Sequence, residues 1–270
     1  MRVRRRKGET ERGRFFSVSP FRLEELRIEI KGLSKNFRKV KALHDVSLEM
    51  GEGIFGLLGQ NGAGKTTLLQ ILATLLPQTS GAVTICSLDI SRHREIRRII
   101  GYLPQYFDFY PGMRVPEVLD YLGLLSGMDD TAARRARIDE VLCSLNLEDE
   151  RRKKVKALSG GMKRRLGIAQ AILHDPKVLI VDEPTAGLDP VERIRFRELL
   201  SQLSVGRIVL LSTHIVEDVE KLCDRMAVLH KGELVFSGAL PDFLGKAADM
   251  EAAYLDRIQK AEAGTRREDA

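Results

Sequence analysis

A glycine-rich segment that ends in a lysine and a threonine is the part of this sequence best suited to chemistry. Residues Gly59–Thr66 read GQNGAGKT and match the pattern G-x-x-x-x-G-K-[ST]. They follow the apolar run Ile54–Leu58, which predicts a buried strand, and they lead into a helical pattern from Lys65 to about Leu75. Glycines at such a turn let backbone amides approach phosphate oxygens, and the helix directs its positive end at the same anion. In this context a nucleotide phosphate site is a better interpretation than a glycine-rich turn with an exposed lysine.

The residue types within this loop suggest what each would do. Lys65 would neutralise the β- and γ-phosphates of a nucleotide, and Thr66 would offer its hydroxyl to Mg²⁺. The predicted nucleotide contacts of the loop are Gly59, Asn61, Gly62, Ala63, Gly64, Lys65, Thr66 and Thr67.

Two carboxylates follow a second apolar run. Val178–Val181 predicts a buried strand, and Asp182 and Glu183 come directly after it. A buried strand can deliver Asp182 to the carboxyl edge of a parallel sheet, where it would hold Mg²⁺ directly or through water. Glu183 points elsewhere and could polarise an attacking water. Taken alone the pair could also be a strand ending in solvated acids, and it becomes informative only beside the glycine-rich loop.

The elements that would position these groups alternate between strand and helix. Such alternation is typical of an α/β domain with a largely parallel sheet, and Lys231–Glu233 predicts a hairpin turn. The predicted strands are Arg27–Ile30, Val46–Met50, Ile54–Leu58, Ala82–Ile85, Ile99–Leu103, Val178–Val181, Arg207–Ser212 and Arg225–Leu229. The predicted helices are Lys65 to about Leu75, Val115–Leu125, Ala132–Leu145, a helix that follows Ser159 and runs to Leu173, Pro190–Leu203 and Val216–Leu222, with a further helical segment from Lys246.

Composition excludes several classes of protein. With 43% hydrophobic and 30% charged residues among 270, the chain is expected to be globular rather than disordered. Its three cysteines, Cys86, Cys143 and Cys223, are far apart, which suggests neither a disulfide framework nor a zinc site and fits a reducing compartment. No apolar run approaches the about 18 residues that would cross a bilayer, so the chain alone is expected to be cytosolic.

The positive charge is concentrated at the amino terminus. Residues 1–14 hold seven basic and two acidic side chains, so nearly all of the net charge of +6 lies there and the body of the chain is close to neutral. A basic body that wraps nucleic acid is therefore not supported. The tail could be a solvated extension, or it could be attracted to an anionic membrane surface.

Further motifs give these residues a specific resemblance. Leu158–Met162 reads LSGGM and resembles the signature of the ATP-binding-cassette family, which usually reads LSGGQ. In the family's order, Gln105 looks like its Q-loop glutamine, Pro184–Asp189 its D-loop, His214 its switch histidine and Phe37 its adenine-stacking aromatic. The chain is identified as a member of this family of ATPases, similar to the cassettes of bacterial drug and antibiotic exporters, over about residues 27–240.

This resemblance implies an architecture. A P-loop NTPase fold is expected, with a mostly parallel core sheet, an antiparallel β-subdomain and a helical signalling subdomain. The expected boundaries are a basic flexible tail at 1–25, an ATPase domain at 26–245 with its helical subdomain at about 110–155, and a helical, frayed extension at 246–270.

The resemblance also implies a mechanism. In the family two cassettes face head to tail, and each ATP lies between the glycine-rich loop of one chain and the signature of the other. Glu183 would orient the attacking water, His214 would contact the γ-phosphate, and Lys65 would stabilise its charge. The implied ATP contacts are Phe37, Lys65, Thr66, Gln105 and Asp182 of one chain and Ser159, Gly160 and Gly161 of the other, with Asp189 linking the two sites; the implied Mg²⁺ ligands are Thr66, Gln105 and Asp182.

The partners implied are a second copy of the cassette and an integral membrane permease on a separate chain, which would place this chain at the cytoplasmic face of the membrane. No nucleic acid is expected, and nothing in the sequence identifies a cargo. The alternative is a soluble regulatory or nucleic-acid-associated cassette. Its known forms carry two cassettes or a long coiled coil, and the interval between Lys65 and Ser159 is too short for such a coil.

Overall fold

Two β-sheets organise the part of the chain that the computed structural model describes, residues 26–38 and 40–268. The predicted basic tail, residues 1–25, lies outside it. The smaller sheet is antiparallel throughout. Its strands in spatial order are β2 (Val40–Met50), β1 (Ile28–Phe37), β4 (Ser80–Ile85) and β5 (Leu88–Asp89).

The larger sheet has six strands and is mostly parallel. In spatial order they are β10 (Glu233–Ala239), β9 (Arg225–His230), β3 (Gly53–Leu58), β8 (Ile208–Thr213), β7 (Val178–Asp182) and β6 (Ile100–Leu103). The pairs from β9 to β6 are parallel, and β10 is antiparallel to β9. The predicted α/β fold, with a mostly parallel core sheet and an antiparallel subdomain, is confirmed.

The central strands are apolar because both of their faces are covered. In β7, Leu179 and Val181 enter the core on one face of the sheet, while Val178 and Ile180 enter the core on the other. This two-residue alternation follows from the pleat of a strand. It explains why the strand reads as a continuous apolar run rather than an alternating one.

Nine helices lie within the described residues. Three of them, α3 to α5, pack on one another and form much of the core on one face of the large sheet. None of the described helices is long and apolar enough to cross a membrane. The helices are α1 (Lys65–Leu72), α2 (His93–Ile99), α3 (Val115–Leu125), α4 (Thr131–Ser144), α5 (Gly160–Ile172), α6 (Pro190–Leu203), α7 (Val216–Leu222), α8 (Leu240–Leu244) and α9 (Met250–Glu268).

The sequence does not predict four of these elements. Helix α2 is not predicted because only Ile96 of its seven residues is buried, so the sequence shows no apolar stripe there. Strand β5 has two residues, and β10 and α8 follow a segment from which only a hairpin turn is predicted. Helix α9 begins at Met250, later than the predicted Lys246.

Close packing between β6 and α5 gives a test of this core. A Cβ atom placed on Gly101 of β6 would overlap the carbonyl oxygen of Ala171 in α5. Because the obstructing atom belongs to a helix backbone, Gly101→Ala is expected to destabilise the protein by about 1–3 kcal/mol. Urea unfolding would measure this change, with Gly112→Ala as the control because a Cβ at Gly112 meets nothing within 4 Å. Equal stability of the two variants would contradict the described packing.

Candidate functional site

The lysine of the glycine-rich loop is held at the start of α1. Lys65 is almost completely buried, and its Nζ donates to the carbonyl oxygens of Gly59 at 2.6 Å and Gln60 at 3.3 Å. Gly64 before it has φ of +102°, and a Cβ there would lie 2.6 Å from the carbonyl oxygen of Ala42. A residue without a side chain is therefore required at this turn, as the loop pattern predicts.

The hydroxyl that follows the lysine is bonded to the carboxylate at the end of β7. Thr66 Oγ1 donates to Asp182 Oδ2 at 2.8 Å. Asp182 is fully buried, and its Oδ1 has no hydrogen-bond partner among the described residues. Burial raises the pKa of this carboxyl, the Thr66 and Ser212 hydroxyls oppose the shift, and the nearby Glu183 adds to it. A buried carboxylate oxygen without a partner, beside a hydroxyl, suits a hard cation such as Mg²⁺.

The second carboxylate joins the lysine to the histidine. Glu183 is buried, with Oε1 at 3.1 Å from Lys65 Nζ and Oε2 at 2.8 Å from His214 Nδ1. Its φ of +48° is uncommon for a residue with a side chain and turns the chain sharply at the end of β7. His214 follows β8 and is exposed. Lys65, Glu183 and His214 thus form one connected row at the carboxyl ends of β3, β7 and β8.

The signature residues lie at the start of α5. Ser159 caps this helix by accepting a hydrogen bond from the Met162 amide at 3.2 Å. Ser159 and Gly160 are exposed, and a Cβ on Gly160 would meet nothing within 4 Å. No hydrogen bond or ion pair of the described residues joins Ser159, Gly160 or Gly161 to the glycine-rich loop. The described contacts thus connect the loop with Glu183 and His214 but do not include the signature.

No hydrogen bond or ion pair of the described residues joins three further predicted residues to the row. Gln105 is half-buried, and its carbonyl oxygen accepts from Arg164 Nη1 at 3.1 Å. Asp189 caps α6 by accepting from the Glu192 amide at 2.9 Å. Phe37 ends β1 with 42% of its surface exposed. The proposed contacts of these residues with ATP stay predictions.

The remaining loop residues surround Lys65. Asn61, Gly62 and Thr66 are exposed, Gly64 and Thr67 are half-buried, and Ala63 is buried. The start of the loop is held to β8, because the Gly59 amide donates to the Thr213 carbonyl oxygen at 3.3 Å. A ligand could therefore approach the loop from the side that carries Asn61, Gly62 and Thr66.

Two arginine contacts near the site are not predicted from the sequence. Arg164 of α5 donates to Ala186 as well as to Gln105, and so connects two loops beside the site. Arg197 of α6 pairs with Asp218, which is completely buried in α7. Neither contact is predicted by the sequence, since a single sequence would place Arg164, Arg197 and Asp218 on solvated helix faces.

A divalent cation here would need ligands from outside the chain. Within the described residues no group of three or more His, Cys, Asp or Glu side chains could hold a metal ion. Thr66 and Asp182 offer two oxygen sites, and the remaining ligands would be Gln105, phosphate oxygens and water, as is usual for Mg²⁺ at nucleotide sites.

Comparison with known proteins gives a consistent result. A family model described as ABC transporter matches residues 43–186, which include the glycine-rich loop, the signature, Asp182 and Glu183. The ABC transporter ATP-binding protein YxlF of Bacillus subtilis is 41% identical over 80% of this chain and 72% of its own length. The Nod factor export ATP-binding protein I of Burkholderia lata is 39% identical over 78% of this chain and 70% of its own length.

A solved structure with partial sequence identity to this chain has the same fold. The ATP-binding cassette MJ0796, in a dimeric post-hydrolysis state bound to ADP and Pi, superposes with a TM-score of 0.71 at 28% identity. The match covers 79% of this chain and 98% of that one.

Proposed function

This chain belongs to the ABC transporter family as an ATP-binding ATPase subunit, and from that premise we propose that it drives an exporter whose permease is a separate polypeptide. The observation that supports ATP hydrolysis as the driving reaction is the row formed by Lys65, Glu183 and His214 beside the pair Thr66 and Asp182. This arrangement combines a phosphate-binding cation, a buried carboxylate for water and oxygen ligands for a metal ion. Each is a part that phosphoryl transfer to water requires.

In the proposed mechanism, the side chains divide the work. Lys65 would leave its ion pair with Glu183 to meet the β- and γ-phosphates, and Glu183 would then be free to accept a hydrogen bond from the attacking water. His214, which contacts Glu183 Oε2, would hold that carboxylate in place and reach the γ-phosphate. Phe37 would stack on adenine.

Thr66, Asp182 and Gln105 would hold Mg²⁺, which when bound supplies charge neutralisation at the phosphates. The unpartnered Asp182 Oδ1 supports this assignment.

We further propose that a second copy of this chain completes each site. The signature residues Ser159, Gly160 and Gly161 are at a helix N-terminus, which favours anions, and the first two are exposed. In a head-to-tail dimer they would cover the γ-phosphate held by the other chain, with Asp189 linking the two sites. The dimeric state of MJ0796 supports this arrangement.

The dimer proposal can be tested at the signature. Ser159→Arg is expected to leave ATP binding by the monomer within about twofold while lowering turnover by at least about 100-fold, because a large cation would block approach of the other chain. Ser201→Arg, at an exposed serine of α6, is the control and should retain turnover. ATP affinity is measured by calorimetry and turnover by phosphate release. Loss of ATP binding in the monomer would contradict the proposed role of Ser159 in the opposite site.

Export is the proposed direction of transport. The support is the Nod factor export ATP-binding protein I, with which this chain shares 39% identity. We propose that the chain sits at the cytoplasmic face of the membrane, with the helical part at about residues 110–155 transmitting changes at Gln105 to the permease. The cassette proper would end near residue 245, and α9 would belong to the extension that follows it. The alternative of a nucleic-acid-associated cassette gains no support from the comparisons.

Affinity purification tests the transporter assignment. The tagged chain, extracted from membranes in mild detergent, is expected to bring down an integral membrane protein. Recovery of DNA or RNA without any membrane protein would overturn the proposal. Reconstituted with that membrane protein in vesicles, the cassette is expected to hydrolyse ATP faster than it does alone.

A further inference from the structure

A buried polar cluster lies directly behind the catalytic row. Asp218, in the first turn of α7, is completely buried, and so is Thr185, two residues after Glu183. The Thr185 hydroxyl donates to Asp218 Oδ2. Arg197 of α6 donates through Nε to Asp218 Oδ1 at 2.8 Å and lies within 2.6 Å of the same oxygen through Nη2. The cluster therefore joins the segment after β7 to helices α6 and α7.

This cluster involves the same two segments that supply the catalytic groups. Glu183 comes from the segment after β7 and His214 from the segment after β8, and their 2.8 Å contact requires both to be in register. Thr185 follows Glu183 by two residues, and Asp218 follows His214 by four residues. A bond between Thr185 and Asp218 therefore closes a short ring that contains the Glu183–His214 contact.

The backbone conformation of Glu183 needs support from contacts such as those of this ring. Its φ of +48° is a conformation that costs free energy for a residue with a side chain and persists only where neighbouring structure imposes it. The turn after it is closed by hydrogen bonds from the Ala186 amide to the Glu183 carbonyl at 3.3 Å and from the Leu188 amide to that of Thr185 at 3.2 Å. The Thr185 side chain fastens this turn to α7.

A buried charge must also be compensated. Removing a carboxylate from water is costly unless it is paired and hydrogen-bonded. Arg197 supplies the opposite charge and Thr185 a second donor, so Asp218 is satisfied on both oxygens. The exposed Glu217 takes a further bond from Arg197 at 3.1 Å and lies outside the buried part of the cluster.

We propose that Thr185 and Asp218, with Arg197 behind them, are positioning residues that set Glu183 against His214 for ATP hydrolysis. This inference rests on the proposed roles of Glu183 and His214. Neither Thr185 nor Asp218 touches the reacting atoms; they act by holding the two segments that carry those groups. Loss of the Thr185 hydroxyl misplaces the carboxylate while the glycine-rich loop, which binds the phosphates, stays as it is.

The experiment compares two substitutions of the same residue in the full-length chain. Thr185→Val keeps the shape and removes the hydroxyl, and it is expected to lower kcat by roughly 10- to 100-fold with KM for ATP changed less than about twofold. Thr185→Ser restores the donor and is expected to recover most of the turnover. Glu217→Gln, which alters only the exposed end of the cluster, is the control. If Thr185→Val does not fold, Asp218→Asn is used in the same comparison.

A double-mutant cycle separates positioning from loss of stability. If Thr185 acts through the Glu183–His214 contact, Thr185→Val adds little to the defect of His214→Ala, because the contact is already lost. The inference would be overturned if the fold losses in kcat of the two single variants multiply in the double variant. It would also be overturned if Thr185→Val and Thr185→Ser have equal turnover, or if Thr185→Val changes only KM. If His214→Ala and Glu183→Gln both retain full turnover, the proposed catalytic roles themselves are wrong.

Discussion

Replacing Lys65 with alanine is expected to abolish tight ATP binding. The Lys65 ammonium is buried at the start of α1, where its contacts are two backbone carbonyls and Glu183. Lys65 is the basic residue of the glycine-rich loop, so the phosphates would lose their principal positive partner. Charged hydrogen bonds contribute about 1.5–3 kcal/mol each, so losing those to the phosphates should raise Kd by at least about 100-fold.

The comparison needs a matched lysine outside the site. Lys31→Ala removes an exposed lysine that forms an ion pair with Glu29, and it should bind ATP like the unmodified chain. Calorimetric titration with ATP and Mg²⁺ measures both variants. Thermal unfolding without nucleotide checks that Lys65→Ala is folded. An alanine variant that is folded and keeps its ATP affinity would show that the loop is not the phosphate site.

The side chains that meet at this site can be predicted from sequence, because they lie at the carboxyl ends of predicted strands. Gly59–Thr66 follows one apolar strand and Asp182 ends another, and parallel strands bring their carboxyl ends to one edge of a sheet. The 2.8 Å contact between Thr66 and Asp182 is a consequence of that rule. The same rule places His214, which follows β8 between these two strands.

The detailed contacts cannot be predicted in the same way. The ion pair between Lys65 and Glu183 depends on the left-handed backbone of Glu183, a conformation that its residue type disfavours. Asp218 is an acidic residue in a helix and would be placed in solvent, yet it is buried because Arg197 and Thr185 meet it from distant positions in the chain. A single sequence carries no record of such pairings.

The elements that the sequence fails to predict are those with little apolar pattern of their own. Helix α2 buries one side chain and β10 buries none completely, so both depend on neighbouring elements. The strands that carry the candidate site are predicted because each is a continuous apolar run that needs cover on both faces. The elements that carry the candidate site are therefore easier to predict from sequence than the peripheral elements, because the site lies at the ends of the most buried strands.

Glu183→Gln is expected to produce a chain that binds ATP but hydrolyses it slowly. Glutamine has the shape of glutamate and can keep a hydrogen bond to His214, but it cannot accept a proton from water. Removing a general base lowers turnover by roughly 10²- to 10⁴-fold. The substitution also removes the negative partner of Lys65, so ATP affinity should be retained or increased. Phosphate release measures turnover, and calorimetry measures affinity.

The same variant reports on the dimer. If ATP holds two cassettes together and hydrolysis separates them, Glu183→Gln should accumulate as a dimer with ATP and Mg²⁺, as seen by sedimentation, while the unmodified chain returns to monomer. Glu217→Gln, at an exposed glutamate of α7, should match the unmodified chain in both assays. Full turnover by Glu183→Gln would show that another group activates the water. Slow turnover by a chain that stays monomeric in ATP would keep Glu183 as the base and count against the dimer that the exposed signature suggests.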